Sequence, residues 1–367
     1  MSFHLLVDSR AVQKNVDGIS RFALNVTKCI KRKRPDWKIT ALISSDASFH
    51  MTGSGVEILH NNSSRFSKRA NRKVAEIINE AKPDVYLNYS MTGPKPEAAS
   101  IVTVHDLMVL NLPCYFGDGV IRNALSRIIF QKSLAESVEH ASFVAVPTMT
   151  TKLDVIRRFK NSGDKIFITG EGQALFDGPV DTGIKRENFF LCVGNARGYK
   201  NIPRLLTAYG RLCAMDSTTP PLTMVVRKDR AWNQFRKHLD SNPARSAITV
   251  LTGISDDDLR ELYLKCRALL MPSVYEGFGL PALEAMATGA PVIASKTTSL
   301  EEVVGDTGIL IDPFSVIGIM RGMAELKASS EEELAEMGKR ARERAAKFSW
   351  SKTADTFLKK IEELQCV

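Results

Sequence analysis

The sequence lacks most features that mark a metal site, a disulfide framework or a membrane protein. Its six cysteines are scattered over 367 residues with no Cys-x-x-Cys pair. This argues against a zinc site and favours a reducing, cytoplasmic location. No apolar run approaches the ~18 residues of a membrane span. The N-terminal stretch MSFHLLVDSR is too short and too soon charged for a signal peptide and predicts a strand.

Motifs of several other enzyme classes are also missing. The sequence contains no P-loop, no Gly-x-Gly-x-x-Gly and no Gly-x-Ser-x-Gly. An Asp-x-Asp does occur within Ser255–Leu259, but Ser255 followed by Asp258 three residues later predicts a helix capping box. The histidines other than His105 show no spacing typical of metal ligands. We therefore expect no metal and no cofactor.

The positive charge is unevenly distributed. The formal net charge is +9, and residues 1–170 carry 24 Lys and Arg against 15 Asp and Glu, so the excess lies in the N-terminal half. It is concentrated in Lys28–Lys38 and Arg65–Lys73. Such clusters favour an anionic contact such as a lipid surface or a pyrophosphate-bearing ligand, while a solvated face is the simpler alternative. They lack interleaved aromatic residues, so no nucleic acid partner is expected.

The fold class follows from length and periodicity. A chain of this length exceeds what one hydrophobic core usually serves, which predicts two domains. Short β-branched runs alternate with helical stretches, which predicts α/β domains with parallel sheets. The predicted strands are Phe3–Val7, Ile39–Ile43, Val85–Leu87, Ile101–Val104, Phe143–Val146, Phe189–Val193, Leu222–Val226, Ile248–Leu251, Ala268–Met271, Pro291–Ala294 and Gly308–Ile311. The predicted helices include Ile19–Lys33, Arg69–Lys82, Asn201–Met215, Asp257–Lys265 and Glu331–Lys347.

A stretch without clear periodicity, Gly170–Asn188, predicts the domain boundary. We assign residues 1–172 to an N-terminal domain and residues 186–347 to a C-terminal domain. Residues 348–367 are expected to form a helix that crosses back to the first domain. Each domain is predicted to be doubly wound and Rossmann-like, with the two facing a cleft and ligands bound at the carboxyl ends of the strands.

The segment SVYEGFGLPALEAMATGAPVIAS, Ser273–Ser295, predicts a strand end, a glycine loop and a short helix. Pro281 suits a first helical position, and Gly289 suits the helix end. The free N–H groups at the helix start favour phosphate binding. Glycines in the preceding loop allow a ligand to approach the backbone closely.

Two carboxylates in this segment need an explanation. Glu284 lies in an apolar helix, where burying an unpaired carboxylate costs several kcal/mol, and Glu276 lies in the loop before it. The simpler alternatives are a first-turn acid favoured by the helix dipole for Glu284 and a surface charge for Glu276. Together with the phosphate site, however, the two acids favour a nucleotide sugar, which offers both a diphosphate and hydroxyl groups.

The pattern E-G-F-G-L-P-x-x-E resembles the E-x7-E signature of the retaining nucleotide-sugar glycosyltransferases of family GT4, which have the GT-B fold. Other segments of the chain are similar to segments of that family, and Asp8–Val26 is similar to the N-terminal segment of its mannosyltransferase-like members. These other segments are Val102–Phe116, Val193–Tyr209, Leu251–Ser273 and Thr298–Pro313.

The resemblance implies a set of donor-binding residues. Glu276 would contact hydroxyls of the transferred sugar, and Glu284 would hold the donor ribose. The backbone of Phe278–Leu280 would face the sugar and the diphosphate, including Gly279 and Leu280. Lys200, with Arg197, would neutralise the diphosphate.

Two residues of the N-terminal domain are also implied. Gly18 would let a loop approach the diphosphate, and His105 would lie beside the sugar. The catalytic set expected from the resemblance is His105, Glu276, Lys200 and Arg197. The loop VVRKDRAW, containing Arg227 and Lys228, replaces a glycine-led loop of many members, and its contacts stay open.

The function implied is metal-independent, retaining transfer of a hexose by attack on the same face as the leaving group. The preferred donor is GDP-mannose, and the acceptor is a lipid-linked or cell-surface polysaccharide, for example a polyprenyl-diphosphate-linked saccharide. The location expected is cytoplasmic, at the anionic inner face of the membrane. The alternatives are UDP-glucose or another UDP-hexose as donor, or a nucleotide-sugar hydrolase or epimerase of the same fold.

Overall fold

The computed structural model describes residues 3–65, 67–112, 115, 119–173, 175 and 184–365. The chain divides into two compact units. One comprises residues 1–172 together with 349–367, and the other comprises residues 173–348. Each unit has its own parallel sheet with helices between the strands. The prediction of two doubly wound α/β domains is therefore confirmed.

Seven parallel strands form the sheet of the first unit. They are β1 His4–Asp8, β2 Lys38–Ile43, β3 Glu57–His60, β4 Val85–Asn88, β5 Ala99–Thr103, β6 Phe143–Val146 and β7 Ile166–Ile168. Their order is β3-β2-β1-β4-β5-β6-β7. The order reverses at β1, so the carboxyl ends of β1 and β4 flank the crevice where such sheets bind ligands. The sequence did not predict β3 and β7, which are short and lie at the two edges.

Among the residues that the structure describes, five helices connect these strands. They are α1 Gly18–Lys33, α2 Lys68–Ala81, α3 Met108–Asn111, α4 Val120–His140 and α5 Met149–Arg158. Helix α1 begins where the Asp17 carboxylate accepts a hydrogen bond from the Ser20 backbone N–H at 2.9 Å, which caps the helix. Its apolar face, including Phe22, Val26 and Ile30, is fully buried. Every helix in the described ranges is too short or too polar to cross a membrane.

Six parallel strands form the sheet of the second unit. They are β8 Phe190–Asn195, β9 Leu222–Arg227, β10 Ile248–Leu251, β11 Ala268–Met271, β12 Val292–Ser295 and β13 Ile309–Ile311. Their order is β10-β9-β8-β11-β12-β13. All six were predicted to within two residues at each end. The order reverses at β8, so the loops that follow β8 and β11 are neighbours at the carboxyl edge.

The described part of this unit contains seven helices. They are α6 Ile202–Met215, α7 Trp232–Asp240, α8 Asp256–Lys265, α9 Leu280–Ala287, α10 Ser299–Val304, α11 Val316–Ala328 and α12 Glu331–Ala345. The capping box predicted at the start of α8 is confirmed. The Asp258 backbone N–H donates to Ser255 Oγ at 3.1 Å, and the Ser255 N–H donates to Asp258 Oδ2 at 3.1 Å. Asp258 therefore stabilises the helix start.

The last helix, α13 Trp350–Gln365, belongs to the first unit. Its Phe357 is fully buried, with ring centroids 6.1 Å from Phe22 and 5.6 Å from Phe167. Gly172 lies against the start of this helix, since a Cβ there would come within 2.3 Å of the Trp350 nitrogen. A glycine is therefore required where the chain passes the helix.

Candidate active site

The loop after β8 carries a buried lysine. A 3₁₀ turn, Gly198–Lys200, follows β8 and precedes α6. Lys200 Nζ donates to Glu276 Oε1 at 2.7 Å, and both side chains are only 11% exposed. The aliphatic stem of Lys200 lies against Gly194, where a Cβ would come within 3.2 Å of it. The structure thus brings together two of the predicted catalytic residues, which lie on different loops.

The charge of Lys200 is maintained by its surroundings. Burial opposes the charged form, but the Glu276 carboxylate and then Tyr199 outweigh it and raise the pKa of Lys200 above its ordinary value. The ammonium group is therefore protonated at neutral pH. A fixed cation beside a carboxylate suits a ligand that carries both anionic oxygens and hydroxyl groups.

Backbone hydrogen bonds fix the loop that carries Glu276. The Glu276 N–H donates to Thr298 Oγ1 at 3.1 Å, and Ser299 Oγ donates to the Glu276 carbonyl at 2.8 Å. The Val274 N–H donates to the Tyr199 carbonyl at 2.8 Å. Sequence reasoning missed Thr298 and Ser299. Their only signal was a run of hydroxyl residues between a predicted strand and the next acidic helix start.

Asn201 joins three loops at this edge and was also missed as a site residue. Its Nδ2 donates to the carbonyls of Pro272 at 3.0 Å and Pro313 at 2.7 Å, and its Oδ1 accepts from Arg204 Nη1 at 2.7 Å. It is buried and adopts a left-handed backbone with φ of 59°. Asparagine tolerates this conformation better than most residues do. Its position next to Lys200 makes it the support of the lysine turn.

The glycine loop leads into α9 largely as predicted. Gly279 has φ of 105°, and a Cβ there would come within 2.6 Å of Leu300. Helix α9 begins at Leu280, one residue before the predicted Pro281, and Gly289 follows its end with φ of 73°. Phe278 is buried and meets the Phe348 ring edge-on at 5.6 Å. The backbone of this loop is therefore rigidly held.

Glu284 is 4% exposed on α9, and it has a protein partner. The fully buried Tyr263 donates its hydroxyl to Glu284 Oε2 at 3.0 Å. The two acids of the motif thus have different partners, an ammonium for Glu276 and a phenol for Glu284. The assignment of Glu284 to the donor ribose stays a prediction.

Arg197 lies at the start of the same loop. Its backbone N–H donates to Asn195 Oδ1 at 3.1 Å, and its Nε lies 3.7 Å from Asp229 Oδ2. Asp229 and Lys228 lie in the loop after β9, whose last residue is Arg227. That loop therefore places an acid beside Arg197, the residue predicted to neutralise the diphosphate. Lys228 Nζ of the same loop lies over the Trp232 ring, 5.4 Å from its centroid.

His105 and Gly18 belong to the first unit. His105 follows β5 and is 7% exposed. A carbonyl oxygen only accepts hydrogen bonds, so His105 Nε2 carries a proton and donates a hydrogen bond to the Tyr89 carbonyl at 2.9 Å. Burial lowers the pKa of His105 to about 4, so the ring is neutral at physiological pH. Gly18 is exposed and is the first residue of α1.

A buried ion pair lies at the crevice of the first sheet. Asp8 ends β1, and its Oδ2 accepts hydrogen bonds from Arg10 Nη2 at 2.7 Å, from Arg10 Nε at 3.2 Å and from the Tyr86 hydroxyl at 2.8 Å. Asp8 and Arg10 lie in the segment Asp8–Val26, which resembles the N-terminal segment of the mannosyltransferase-like members. The Arg10 guanidinium and the Tyr86 hydroxyl lower the pKa of Asp8 despite its complete burial, which alone would raise it.

No three His, Cys, Asp or Glu side chains in the described part of the chain are grouped as metal ligands would be. The expectation that transfer proceeds without a metal stays a prediction.

Sequence comparison relates the chain to known enzymes. Residues 179–344 match the family model of group 1 glycosyl transferases. The chain is 29% identical over 292 residues to the O-antigen chain mannosyltransferase B of Escherichia coli, covering 76% of this chain and 74% of the relative. It is 30% identical over 269 residues to the serotype-specific mannosyltransferase WbdA of Escherichia coli, covering 70% of this chain but only 32% of that longer relative.

Structural comparison extends to the whole chain. The sucrose-phosphate synthase of Thermosynechococcus elongatus matches with a TM-score of 0.79 and 18% identity, over 99% of both chains. A likeness at this identity shows the fold alone. With the two parallel sheets described above, it confirms the GT-B fold class predicted from the sequence.

Replacing Asn201 should destabilise the lysine turn in two separable ways. Asn201→Ala removes the hydrogen bonds and forces a Cβ-bearing apolar residue into a left-handed backbone, so we expect the free energy of unfolding to fall by about 2–4 kcal/mol. Asn201→Gly removes only the hydrogen bonds and should lose roughly half as much. Urea denaturation measures both. A change below about 0.5 kcal/mol in Asn201→Ala, the range of ordinary surface substitutions, would contradict the role of Asn201.

His105 should make the protein less stable in acid. Its folded pKa of about 4 lies below its ordinary value of 6.5, so the unfolded chain binds more protons between these pH values. Stability attributable to His105 is therefore complete above pH 6.5 and falls by on the order of 3 kcal/mol toward pH 4. His105→Gln keeps a donor for Tyr89 but cannot be charged. Its free energy of unfolding should depend less on pH in that window, and equal slopes in both proteins would refute this assignment.

Proposed function

We propose that this chain, whose residues 179–344 match the group 1 glycosyl transferases, transfers mannose from GDP-mannose to a lipid-linked or cell-surface polysaccharide with retention of configuration. The observation that carries the proposal is the buried pair of Lys200 and Glu276 at the carboxyl edge of the second sheet. The names of the two sequence relatives, both O-antigen or serotype-specific mannosyltransferases, support mannose as the transferred sugar.

The proposed chemistry assigns a role to each charge. Cleavage of the anomeric carbon–oxygen bond leaves the electron pair on the nucleoside diphosphate, whose oxygens become more negative. Lys200 and Arg197 stabilise that developing charge, as fixed cations do in other transition states. Glu276 accepts a hydrogen bond from a hydroxyl of the sugar and thereby orients it.

The acceptor hydroxyl attacks on the face that the diphosphate leaves. Its proton passes to the departing phosphate oxygen, so the new glycosidic bond keeps the configuration of the donor and no metal is required. NMR of the product tests this point directly, since an inverted anomeric centre would exclude same-face attack.

Ligand-dependent thermal stability identifies the donor. The purified protein is heated with GDP, UDP, ADP, GDP-mannose, UDP-glucose or UDP-GlcNAc, each with and without EDTA. A ligand at about 100 times its dissociation constant stabilises the folded state by ~2.7 kcal/mol. We expect GDP and GDP-mannose to raise the melting temperature equally with and without EDTA. Stabilisation by uridine nucleotides instead would identify a UDP-hexose as the donor and contradict GDP-mannose. Loss of stabilisation in EDTA would contradict metal-independent binding.

Donor turnover distinguishes transfer from the alternative activities of this fold. Sugar release from GDP-mannose should depend on an added saccharide or polyprenyl-diphosphate-linked acceptor. Release at the same rate without acceptor would favour a nucleotide-sugar hydrolase or epimerase.

Substitution of one member of the buried pair should lower both stability and transfer, whereas restoring an ion pair should recover only stability. We expect Lys200→Met to lower kcat by about 100-fold or more, the effect of removing one group that stabilises transition-state charge. The charge swap Lys200→Glu with Glu276→Lys restores an ion pair, but it should not restore transfer because each charge then faces the wrong part of the donor. Steady-state kinetics and urea denaturation of both variants separate the two effects.

A surface pair provides the control for these variants. Arg236 and Asp240 are joined at 3.4 Å on α7 but are about half exposed, so Arg236→Met should leave kcat unchanged. If the charge swap regained the wild-type rate, the pair would be structural and the proposed roles wrong.

A further inference from the structure

Helix α4 exposes a stripe of large aliphatic side chains. Ile121, Leu125, Ile128 and Ile129 are 78%, 56%, 64% and 63% exposed. Their spacing of four, seven and eight residues from Ile121 puts them on one face of the helix. We call these four residues the α4 stripe. Because an exposed apolar patch of this kind is unusual on a monomer, it indicates a contact surface.

The opposite face of the same helix is already used. Phe130, Leu134 and Val138 are buried in the core of the first unit. Helix α4 is therefore apolar on two sides, and the α4 stripe is the side that does not face the core. The core explains only one of them.

The neighbouring helix adds to the exposed apolar surface. Met149 and Leu153 on α5 are 46% and 44% exposed. The two helices are joined where Arg158 Nη1 donates to Gln131 Oε1 at 3.1 Å, and Val155 of α5 shares the core under α4. The apolar surface thus involves two adjacent helices of the first unit.

The charge around the α4 stripe is positive. Residues 120–133 contain three cations, Arg122, Arg127 and Lys132, and no acid. Arg122 and Lys132 are exposed, whereas Arg127 donates to the Leu110 carbonyl. The acids of α4, Glu136 and Glu139, come only after the stripe has ended. An apolar stripe between exposed cations complements a surface that is anionic outside and apolar beneath.

We propose that the α4 stripe docks the first unit onto an anionic lipid bilayer. The four aliphatic side chains enter the boundary between headgroups and acyl chains, and Arg122 and Lys132 contact lipid phosphates. A second copy of this chain fits less well, because the cations of two stripes would repel each other. The inference goes beyond the proposed function and does not depend on the donor or on the acceptor.

The structure also makes the basic cluster Lys28–Lys38 a poorer candidate for the main lipid contact. Three of its cations have acidic partners within the first unit, namely Lys33 with Asp355, Arg34 with Glu362 and Lys38 with Glu57. Helix α4, in contrast, offers both exposed apolar side chains and exposed cations.

Vesicle flotation tests the proposal. The wild-type protein is mixed with vesicles of phosphatidylglycerol and phosphatidylethanolamine, or of phosphatidylcholine alone, and floated on a density gradient. We expect binding to the anionic vesicles only, weakened by salt. Replacing all four residues of the α4 stripe with Gln should reduce binding at least about tenfold, because little apolar area remains to insert. Gln keeps helix propensity, so circular dichroism should be unchanged.

A matched control uses exposed apolar residues of the second unit. Met215, Phe314 and Ile317 are 75%, 63% and 50% exposed, and their replacement with Gln should leave vesicle binding intact. The double variant Arg122→Gln and Lys132→Gln should bind anionic vesicles several-fold more weakly for each charge removed. If the stripe variant and the second-unit control variant lost vesicle binding equally, general surface hydrophobicity would explain the binding and the proposal would fail.

Three further outcomes would overturn the proposal. The first is equal binding to phosphatidylcholine vesicles, which removes the role of the cations. The second is no binding to either kind of vesicle. The third is self-association without lipid that the stripe variant abolishes, seen by analytical ultracentrifugation, because it assigns the surface to a second copy. Transfer to a water-soluble acceptor should be unchanged in the stripe variant, so failure here is distinguishable from failure of the proposed function.

Discussion

The organisation of the second unit depends on one constraint, the need to satisfy two charges that are nearly buried. Lys200 and Glu276 are each 11% exposed and neutralise one another at 2.7 Å. Removing either partner would leave an uncompensated charge in a poorly solvated position, which is strongly destabilising. In the free protein the pair is therefore a stable arrangement. A ligand with a diphosphate and hydroxyl groups is one of the few that offers a new partner of the correct kind to each charge.

Strand order explains how residues so distant in sequence form that pair. Lys200 and Glu276 are 76 positions apart, yet β8 pairs directly with β11, so the loops that follow these two strands start side by side. Asn201 then fixes the distance between them, because it bonds the loop after β11 and the loop after β13. The doubly wound topology brings the loops together, and a few hydrogen bonds set the ångström-scale geometry.

Much of this could be predicted from the sequence, for physical reasons that differ between elements. The central strands β11 and β12 of the second unit are buried along their whole length, so each appears as a short, mostly apolar run with clear ends. The glycine loop and α9 were predictable because Gly279 and Gly289 adopt left-handed backbones that other residues rarely accept. The strand β3 was missed because only its two middle residues are apolar, and β7 was missed because it is apolar over only three residues.

The contacts that complete the site carry no such local signal. Asn201, Thr298 and Tyr263 act through partners in distant segments, and nothing in their immediate sequence distinguishes them from ordinary polar or aromatic residues. Helix α4 posed the opposite problem. Its apolar residues lie on two sides of the helix, one exposed and one buried, so helical periodicity is blurred and its boundaries were not predicted. The same property that hid the helix in the sequence is what leaves an apolar stripe at the surface.

The different surroundings of the two acids in the E-x7-E segment fit different demands on their charge. Glu276 lies on a loop and is bonded to the Lys200 ammonium, which under the proposed function would exchange this partner for a phosphate. Glu284 lies on a buried helix, and its Tyr263 partner is held fully inside the core. A carboxylate held by a fixed phenol keeps one position whether or not a ligand is present. The segment thus combines an acid that can respond to a ligand with an acid whose position is set by the fold.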